Sequence, residues 1–265
     1  MREAREVAFL RELLPIGSVK QLHGLCEHGA IRIEEVPSVV TRLEKCGFGF
    51  HRTETTISLV TEPESLIPEM IMAGLQTQRI GRDVLVFRET SSTNDIARQA
   101  GTGGAEEGLV IFAESQTRGR GTQGRKWVSS SGAGLWFSIL LRAVLPAEDW
   151  PLLVKMAAVA CAEVVEKRIG EEIRIKPPND LIVNGGKLAG FLLETSNARD
   201  FQVLGIGLNV RSAPVIEGSP TAAIEQFTHG RVAGNALAAE LLNHLDEWYV
   251  ERPFSEISPA FNARI

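Results

Sequence analysis

The sequence predicts an α+β protein with a mixed, largely antiparallel sheet and flanking helices, preceded by a smaller domain. Three features of the chain favour this fold. Its 265 residues are enough for two domains. From residue 81 onwards, short apolar stretches alternate with turn residues, which is typical of strands joined by hairpins. Helical periodicity is confined to a few separate segments, so the helices stand apart from the strands.

The apolar pattern of residues 1–62 predicts three short helices followed by a hairpin. Apolar residues recur at helical spacing over residues 7–14 and 39–46, and residues 19–26 suit a short helix between them. Residues 48–60 suit two strands of a hairpin. This order is that of a winged helix-turn-helix domain.

A linker is predicted at residues 63–80, which contain two prolines and two acidic residues early on, and the second domain at residues 81–265. The expected strands of that domain lie at residues 84–87, 109–114, 135–142, 173–175, 181–183, 188–194 and 201–210. The expected helices lie at residues 92–100, 150–169 and 235–249. Asn184 and Gly185 would form a type I′ turn between two strands, and strand 201–210 would close the sheet.

The composition excludes several classes of protein. A hydrophobic content of 44% and a charged content of 23% are those of a globular chain, and the net charge of −5 argues against a nonspecific polyanion binder. The three cysteines, Cys26, Cys46 and Cys161, are widely spaced and suit reduced thiols. Neither a signal peptide nor a bilayer-spanning stretch is evident, so we expect a soluble cytoplasmic protein with no membrane partner.

The sharpest motif is the glycine-rich and basic sequence QTRGRGTQGRKW at residues 116–127. Residues 115–147 contain no acid but five cations. Glycine leaves backbone amides free to surround an oxyanion, and the planar fork of arginine suits carboxylate or phosphate. The sequence therefore predicts a focused anion site, with a solvated basic loop as the alternative.

Three other stretches carry polar residues beside turns or strand ends. KPPND at residues 176–180 precedes the turn sequence NGGKLAG, where Lys187 could reach inward to an anion and Asp180 could hold a metal or orient a cation. A surface hairpin is the alternative. SSTN at residues 91–94 suits a helix N-cap, which can also bind polar ligand groups. GIGLN at residues 205–209 places two glycines on one strand face.

The order and spacing of SSTN, GRGTQGRKW, KPPNDL with KLAGFLLE, and GIGLNV resemble those of biotin protein ligases, most closely over residues 82–210. This resemblance implies a class II synthetase-like catalytic domain that uses ATP and Mg²⁺ to form biotinyl-5′-AMP. Biotin would then pass to a lysine of the biotin carboxyl carrier protein, a subunit of acetyl-CoA carboxylase. In bifunctional members a winged helix-turn-helix binds operator DNA, so operator DNA and a homodimer are implied as further partners.

The resemblance also implies a role for each motif residue. Lys187 and Arg120 would be the catalytic cations. Biotin would be bound by Ser92, Thr93, Asn94, Gln116, Gly119, Arg120, Gly121, Lys187 and Gly190. ATP or the adenylate would be bound by Arg120, Arg125, Trp127, Lys176, Asn179, Asp180, Lys187 and Asn209, and Asp180 would also bind the metal.

The chain departs from the family pattern in several places. Pro177 replaces a usual aromatic residue, Thr122 and Gln123 replace basic ones, and few residues follow the last predicted helix where the family commonly has an SH3-like barrel. Residues 1–80 carry 9 basic and 11 acidic residues, fewer cations than phosphate contacts usually need. Packing or dimerisation is therefore the alternative role of the first domain. For the whole chain, the alternatives are a biotin-responsive DNA-binding regulator with little ligase turnover, and a lipoyl or octanoyl transferase.

Overall fold

The chain divides into two units, Met1–Leu75 and Gln76–Ile265. The computed structural model describes residues 4–27, 31–198 and 200–265, with the side chains of residues 26 and 27 left out.

In the described part of the first unit, helices pack on a small antiparallel sheet. The helices are α1 (Arg5–Glu12), α2 (Leu22–Glu27), α3 (Val36–Lys45) and α4 (Pro68–Ala73). The strands are β1 (Lys20–Gln21), β2 (Gly49–Arg52) and β3 (Thr56–Thr61), in the order β1-β3-β2. The expected sequence of three helices and a hairpin is thus observed, and the assignment as a winged helix-turn-helix stays a prediction.

Helix α4 corrects the predicted linker at residues 63–80. Met70 and Ile71 are buried, and the Arg11 side chain of α1 donates hydrogen bonds to the carbonyl oxygens of Met72 and Ala73. This segment has an apolar face that packs in the first unit, because burying such a face stabilises even a short helix. The division consequently falls at residue 75.

In the described part of the second unit, seven strands form one sheet. They are β4 (Asp83–Thr90), β5 (Leu109–Gln116), β6 (Gly134–Leu141), β7 (Arg174–Lys176), β8 (Asp180–Val183), β9 (Gly186–Thr195) and β10 (Gln202–Asn209). Their order is β4-β5-β6-β10-β9-β8-β7, with β4 and β5 parallel and the other neighbours antiparallel. The predicted α+β class with a mixed, largely antiparallel sheet is confirmed.

Strand β10 does not close the sheet as expected, because it lies in the middle between β6 and β9. All of its residues are buried, which is the environment of a central strand. This position places its glycines against the interior of the site described below.

The helices of this unit are α5 (Thr93–Thr102), α6 (Pro151–Ile169), α7 (Gly234–Asp246) and α8 (Phe254–Asn262). The first three agree with prediction, except that α7 ends at Asp246 and is followed by a π-helical turn, Glu247–Glu251, where the prediction extended the helix to residue 249. Helix α8 was not predicted, although it buries Ile257 and Phe261. Its Pro259 had weakened the helical pattern.

The turn between β8 and β9 confirms the predicted type I′ hairpin. Asn184 and Gly185 both have positive φ, 47° and 81°. That turn type requires positive φ at both central positions, which Asn and Gly adopt at least cost. The tight turn brings Lys187 back beside β8.

Cys46 and Cys161 are free thiols, and Cys26 lies outside the described side chains. None of the helices within the described ranges is both long enough and apolar enough to cross a bilayer. The cytoplasmic location stays a prediction.

Candidate active site

A cavity of about 750 Å³ opens on the sheet of the second unit and brings the four motifs together. Most of the predicted site residues line it, namely Ser92, Thr93, Asn94, Gln116, Arg120, Gly121, Arg125, Trp127, Lys176, Asn179, Asp180, Lys187, Gly190 and Asn209. Gly119 is not among the lining residues: it is buried, and a β-carbon there would lie 2.5 Å from the carbonyl oxygen of Trp127. The topology thus unites segments that are far apart in sequence.

The glycine-rich segment folds as a small antiparallel hairpin. Gln116 pairs with Ser129 and Arg120 with Lys126, and the amide of Trp127 donates to the carbonyl oxygen of Gly119 at 2.9 Å. A turn at Thr122–Gly124 forms the tip. The segment is therefore ordered by backbone hydrogen bonds, while Arg118, Arg125 and Lys126 are exposed to solvent.

The indole of Trp127 lies over two glycines of the sheet. A β-carbon on Gly207 would come within 2.4 Å of the ring, and one on Gly190 within 3.0 Å. The Nζ of Lys187 lies 5.2 Å from the ring centroid, a cation–π distance. The indole N–H is buried and has no acceptor among the described residues. A buried donor without a partner indicates a place where an acceptor group of a ligand is favoured.

Lys187 and Asp180 form an ion pair across the β8–β9 hairpin, with Nζ 2.7 Å from a carboxylate oxygen. Both side chains are less than one third exposed. Within the described residues, no group of three or more His, Cys, Asp or Glu side chains is placed to hold a metal. The metal-binding role of Asp180 stays a prediction, and in this structure its carboxylate is paired with Lys187.

Arg120 is held by two carboxylates. Its guanidinium donates to both oxygens of Asp95, at 3.0 and 2.7 Å, and to Glu194 at 3.2 Å. The hydrogen bond to Asp95 raises the pKa of Arg120 further above its ordinary value, and the same bond lowers the pKa of Asp95. Arg120 lines the cavity as predicted, but its charge is offset by two acids that the sequence analysis did not assign.

A chain of hydrogen bonds joins the polar residues on this side of the cavity. Gln116 accepts the amide hydrogen of Thr93 at 2.8 Å and donates its own side-chain amide to Ser129 at 2.7 Å. The Ser138 hydroxyl is hydrogen-bonded to the Thr93 hydroxyl and to Oδ1 of Asn94, and Asn94 donates to Glu194 at 2.8 Å. Each of these residues is thereby held in one orientation.

Ser92 occupies the N-cap position of α5, as predicted, but its side chain makes no capping hydrogen bond in the described structure. The side chain of Gln116 accepts the free amide of Thr93 instead. The hydroxyl of Ser92, which is buried and lines the cavity, is thus not used by the helix.

The two predicted asparagines of the nucleotide side differ in what they offer. Asn179 is buried and donates to the carbonyl oxygen of Phe191 at 2.7 Å, so one of its amide hydrogens serves the fold. Asn209 donates to the carbonyl oxygens of Lys187 and Ala222, whereas its buried Oδ1 accepts no hydrogen bond from any residue that the structure describes. An unsatisfied buried acceptor favours a ligand that donates a hydrogen bond there.

Sequence reasoning missed several residues of the site. Asp95 directly follows SSTN, and Glu194 ends KLAGFLLE, but nothing in the sequence indicated that both face Arg120. Ser138 is the one polar residue in the apolar strand sequence LWFSILL, which is a usable signal because buried hydroxyls are normally hydrogen-bonded. The loop at residues 214–221 also lines the cavity, and apolar surface comes from Pro214, Ile216 and Pro220 of this loop and from Pro177 and Pro178.

A mixed sheet carries polar residues, a basic hairpin and a half-buried lysine at one cavity, an arrangement suited to a small anionic ligand. Residues 86–210 match the Biotin/lipoate A/B protein ligase family. The Biotin--[acetyl-CoA-carboxylase] ligase of Mycobacterium tuberculosis is 34% identical over 197 residues, which cover 71% of this chain and 73% of that protein. The chain belongs to this family of protein ligases.

Further relatives agree with this membership. The Bifunctional ligase/repressor BirA of Bacillus subtilis is 36% identical over 159 residues, 59% of this chain and 49% of that protein. This chain thus spans about half the length of the Bacillus relatives. Among solved structures, biotin protein ligase from Leishmania major in complex with biotinyl-5-AMP matches with a TM-score of 0.61 and 26% identity over 69% of this chain and 81% of that one. The Aquifex aeolicus ligase in complex with biotin and ATP matches with the same TM-score and 25% identity, over 69% of this chain and 78% of that chain.

Proposed function

We propose that this protein is an ATP-dependent biotin protein ligase, which forms biotinyl-5′-AMP and transfers biotin to a lysine of a biotin carboxyl carrier domain. The observation that carries the proposal is the cavity itself. It is lined by the polar cluster of Ser92, Thr93, Asn94 and Gln116, by the glycine-rich hairpin and by Lys187. Relatives named as biotin ligases, and solved structures of relatives with biotin, biotinyl-5-AMP or ATP, support this choice of ligands.

The chemistry requires two anions to meet. A carboxylate oxygen of biotin attacks the α-phosphorus of ATP, the bond from that phosphorus to the bridging oxygen breaks, and pyrophosphate leaves. Fixed cations offset the repulsion and stabilise the charge that builds on the phosphate. Lys187 is the cation best placed for this, since it is partly buried, lines the cavity and is held by Asp180.

Transfer then needs little from the protein. The neutral amine of the acceptor lysine attacks the acyl carbon of the mixed anhydride, the bond to the phosphate oxygen breaks, AMP leaves, and the nitrogen loses a proton. No covalent nucleophile of this chain takes part. The role of the cavity is to hold the adenylate away from water until the acceptor arrives.

The unpartnered polar atoms suit these substrates. The buried Oδ1 of Asn209 can accept a hydrogen bond from an amino or hydroxyl group of the nucleotide, and the indole N–H of Trp127 can donate to a carbonyl or phosphate oxygen. The polar cluster of Ser92, Thr93, Asn94 and Gln116 offers donors and acceptors to a ureido group. Asp180, which lines the cavity, would be the protein ligand of the Mg²⁺ that accompanies ATP, because Mg²⁺ is usually held by one or two carboxylates together with substrate phosphates and waters.

Loss of the Lys187 charge tests the proposal. Lys187→Ala should lower the rate of biotinyl-AMP formation by a factor of about 10² or more, as expected for removal of a charge-stabilising donor. Lys167→Ala removes an exposed lysine of α6 and should leave the rate unchanged. The assay uses biotin, labelled ATP and a biotin carboxyl carrier domain, and circular dichroism checks the fold. If wild-type protein forms neither the adenylate nor labelled acceptor, the proposal is wrong.

A lipoyl or octanoyl transferase is the competing function on the same fold. Lipoate and octanoate have no ureido group, so they would not use the hydrogen-bonding groups around Thr93 and Gln116, which disfavours their binding relative to biotin. Competition calorimetry decides between them: biotin should bind, and lipoate at equal concentration should not displace it. Displacement by lipoate would favour the transferase.

DNA binding and dimerisation by the first unit stay predictions. Two relatives from Bacillus are named as bifunctional ligase/repressor. Helix α3 carries Arg42 and Lys45, but Arg42 is paired with Glu6 of α1 at 2.6 Å. Gel-shift titration with operator-like DNA, with and without biotin and ATP, tests this function, and sedimentation under the same conditions tests the dimer.

A further inference from the structure

The side chain of Arg120 connects the glycine-rich hairpin to helix α5 and strand β9. Arg120 forms the stem of the hairpin by pairing with Lys126, one residue before Trp127. Its guanidinium makes a two-point contact with Asp95 and a third contact with Glu194. The backbone of the hairpin also reaches the end of β4, where the amides of Thr117 and Arg118 donate to the carbonyl oxygens of Thr90 and Ser91. Arg120 adds a charged side-chain anchor to these backbone contacts, to the hydrogen bonds of Gln116 and to the packing of Trp127.

The two acids are themselves fixed by neighbours. Ser91 donates to Asp95 at 3.2 Å, and Asn94 donates to Glu194 at 2.8 Å. Arg98 of α5 lies 3.8 Å from Glu194. Asp95 belongs to the first turn of α5 and Glu194 to the end of β9, so the anchor bridges a helix and a strand.

We infer that Asp95 and Glu194 are positioning residues for the ligand site: by holding Arg120 they keep the hairpin in place and thereby keep Trp127 over Gly190 and Gly207. They act through Arg120 and need not touch the reacting atoms. The role of Arg120 changes accordingly. Its charge, matched by two carboxylates, serves to hold the hairpin, and Lys187 is left as the cation for the carboxylate and phosphate.

The geometry of the contact between Arg120 and Asp95 explains why an arginine and a carboxylate are needed. Arginine presents two parallel N–H donors that match both oxygens of a carboxylate, which fixes orientation as well as distance. The pKa of Asp95 lies below its ordinary value, which agrees with a carboxylate held ionised by this contact. Lysine at position 120 would keep the charge but could not reproduce the two-point contact.

A protease assay tests the anchor without reference to ligase activity. Chymotrypsin can cleave after Trp127 only when the hairpin opens locally and exposes the bond between Trp127 and Val128. The rate of this cleavage therefore reports how stable the closed hairpin is. Asp95→Asn and Glu194→Gln should each raise this rate about three- to tenfold, the range expected when a partly exposed charged contact is lost. Asp149→Asn removes an exposed carboxylate elsewhere in the unit and should leave the rate unchanged. Asp95→Glu, which keeps the carboxylate, should restore most of the protection.

A double-mutant cycle separates action through Arg120 from general damage to the fold. Asp95→Asn should have little further effect in an Arg120→Ala background, because the partner is already absent. Additive effects of the two substitutions, or a wild-type cleavage rate in Asp95→Asn, would overturn the inference. A thermal melt checks that the variants remain folded.

Kinetics connect the anchor to the proposed function, on which this last step rests. For adenylate formation, Asp95→Asn should raise the KM for biotin about three- to tenfold and change kcat much less, since a mobile hairpin weakens binding of substrate and transition state alike. A fall in kcat with an unchanged KM would contradict the positioning role. If no variant, including wild type, forms adenylate while the protease pattern is as expected, the proposed function fails and the anchor stands.

Discussion

The indole ring of Trp127 lies so close to Gly207 that a β-carbon on this glycine would come within 2.4 Å of the ring. Trp127 belongs to the glycine-rich hairpin and Gly207 to the central strand β10. This contact therefore joins the hairpin to a fully buried strand of the sheet. Any ligand that packs against Gly190 or Gly207 must share this space with the indole or displace it.

Gly207→Ala should displace the indole of Trp127. The methyl group cannot fit beneath the ring, and overpacking of this kind typically costs about 1–3 kcal/mol of unfolding free energy. We expect the fluorescence of Trp127 to shift to the red, and biotin binding to weaken about tenfold. Trp127→Phe identifies the contribution of this tryptophan to the spectrum.

Gly230→Ala is the matched control, because a β-carbon at Gly230 would meet no atom within 4 Å. Its spectrum and unfolding free energy should equal those of wild type. An unchanged spectrum in Gly207→Ala would show that Trp127 does not rest on this glycine.

Ser138→Ala should remove the hydrogen bonds that hold Thr93 and Asn94 of the polar cluster in position. Ser138 is fully buried and its hydroxyl is hydrogen-bonded to Oδ1 of Asn94 and to the Thr93 hydroxyl, the latter at 2.7 Å. Without it, the buried Oδ1 of Asn94 loses a donor, which costs about 1–3 kcal/mol in the free energy of unfolding. Urea denaturation measures this loss, and calorimetry should find biotin affinity reduced about tenfold. Ser131→Ala, at an exposed position, should change neither quantity.

The contribution of His244 to the stability of the second unit should decrease as the pH rises above 6.5. Its imidazole lies between Glu163 at 2.6 Å and Glu247 at 2.9 Å, and the hydrogen bond to Glu163 raises the pKa of His244 above 6.5. The folded state thus holds the proton more tightly than the unfolded chain. The resulting stabilisation is complete below pH 6.5 and is lost as the pH rises through the raised pKa.

Urea denaturation between pH 5.5 and about 9 measures this dependence. His244→Gln should remove this part of the slope, and His229→Gln, at an exposed position, should retain it. Equal slopes in wild type and His244→Gln would refute the assignment.

Asp246→Asn should destabilise the start of the second unit. Asp246 is buried, and its carboxylate accepts the backbone amides of Gln78, Arg79 and Ile80 at 2.6 to 2.9 Å. Hydrogen bonds to a charged group contribute about 1.5–3 kcal/mol, and an amide side chain has one oxygen where the carboxylate has two. We expect a loss of about 2 kcal/mol in the free energy of unfolding. Asp83→Asn, at an exposed position of β4, should have an effect within about 0.5 kcal/mol.

The elements of the second unit were largely predictable because local periodicity reports which face of a segment is buried. Alternation and apolar runs located β5, β6, β9 and β10 to within a few residues, and the Asn184-Gly185 pair specified its turn type. Helix α4 was missed because prolines and acids at its start resemble a linker. Its apolar face shows only when α1 is present to cover it.

The sequence by itself determined the chemical types of the site: a polar helix start, a basic glycine-rich segment, and a lysine beyond a tight turn. Only the tertiary structure decided the partners of each charge. Arg120 meets Asp95 and Glu194, which are 25 and 74 positions away, and Lys187 meets Asp180 across a hairpin. Periodicity describes each segment separately, whereas these pairings depend on how strands and helices are ordered in space. Composition marked several cations of residues 115–147 for an anion, and the fold pairs one of them, Arg120, with two carboxylates.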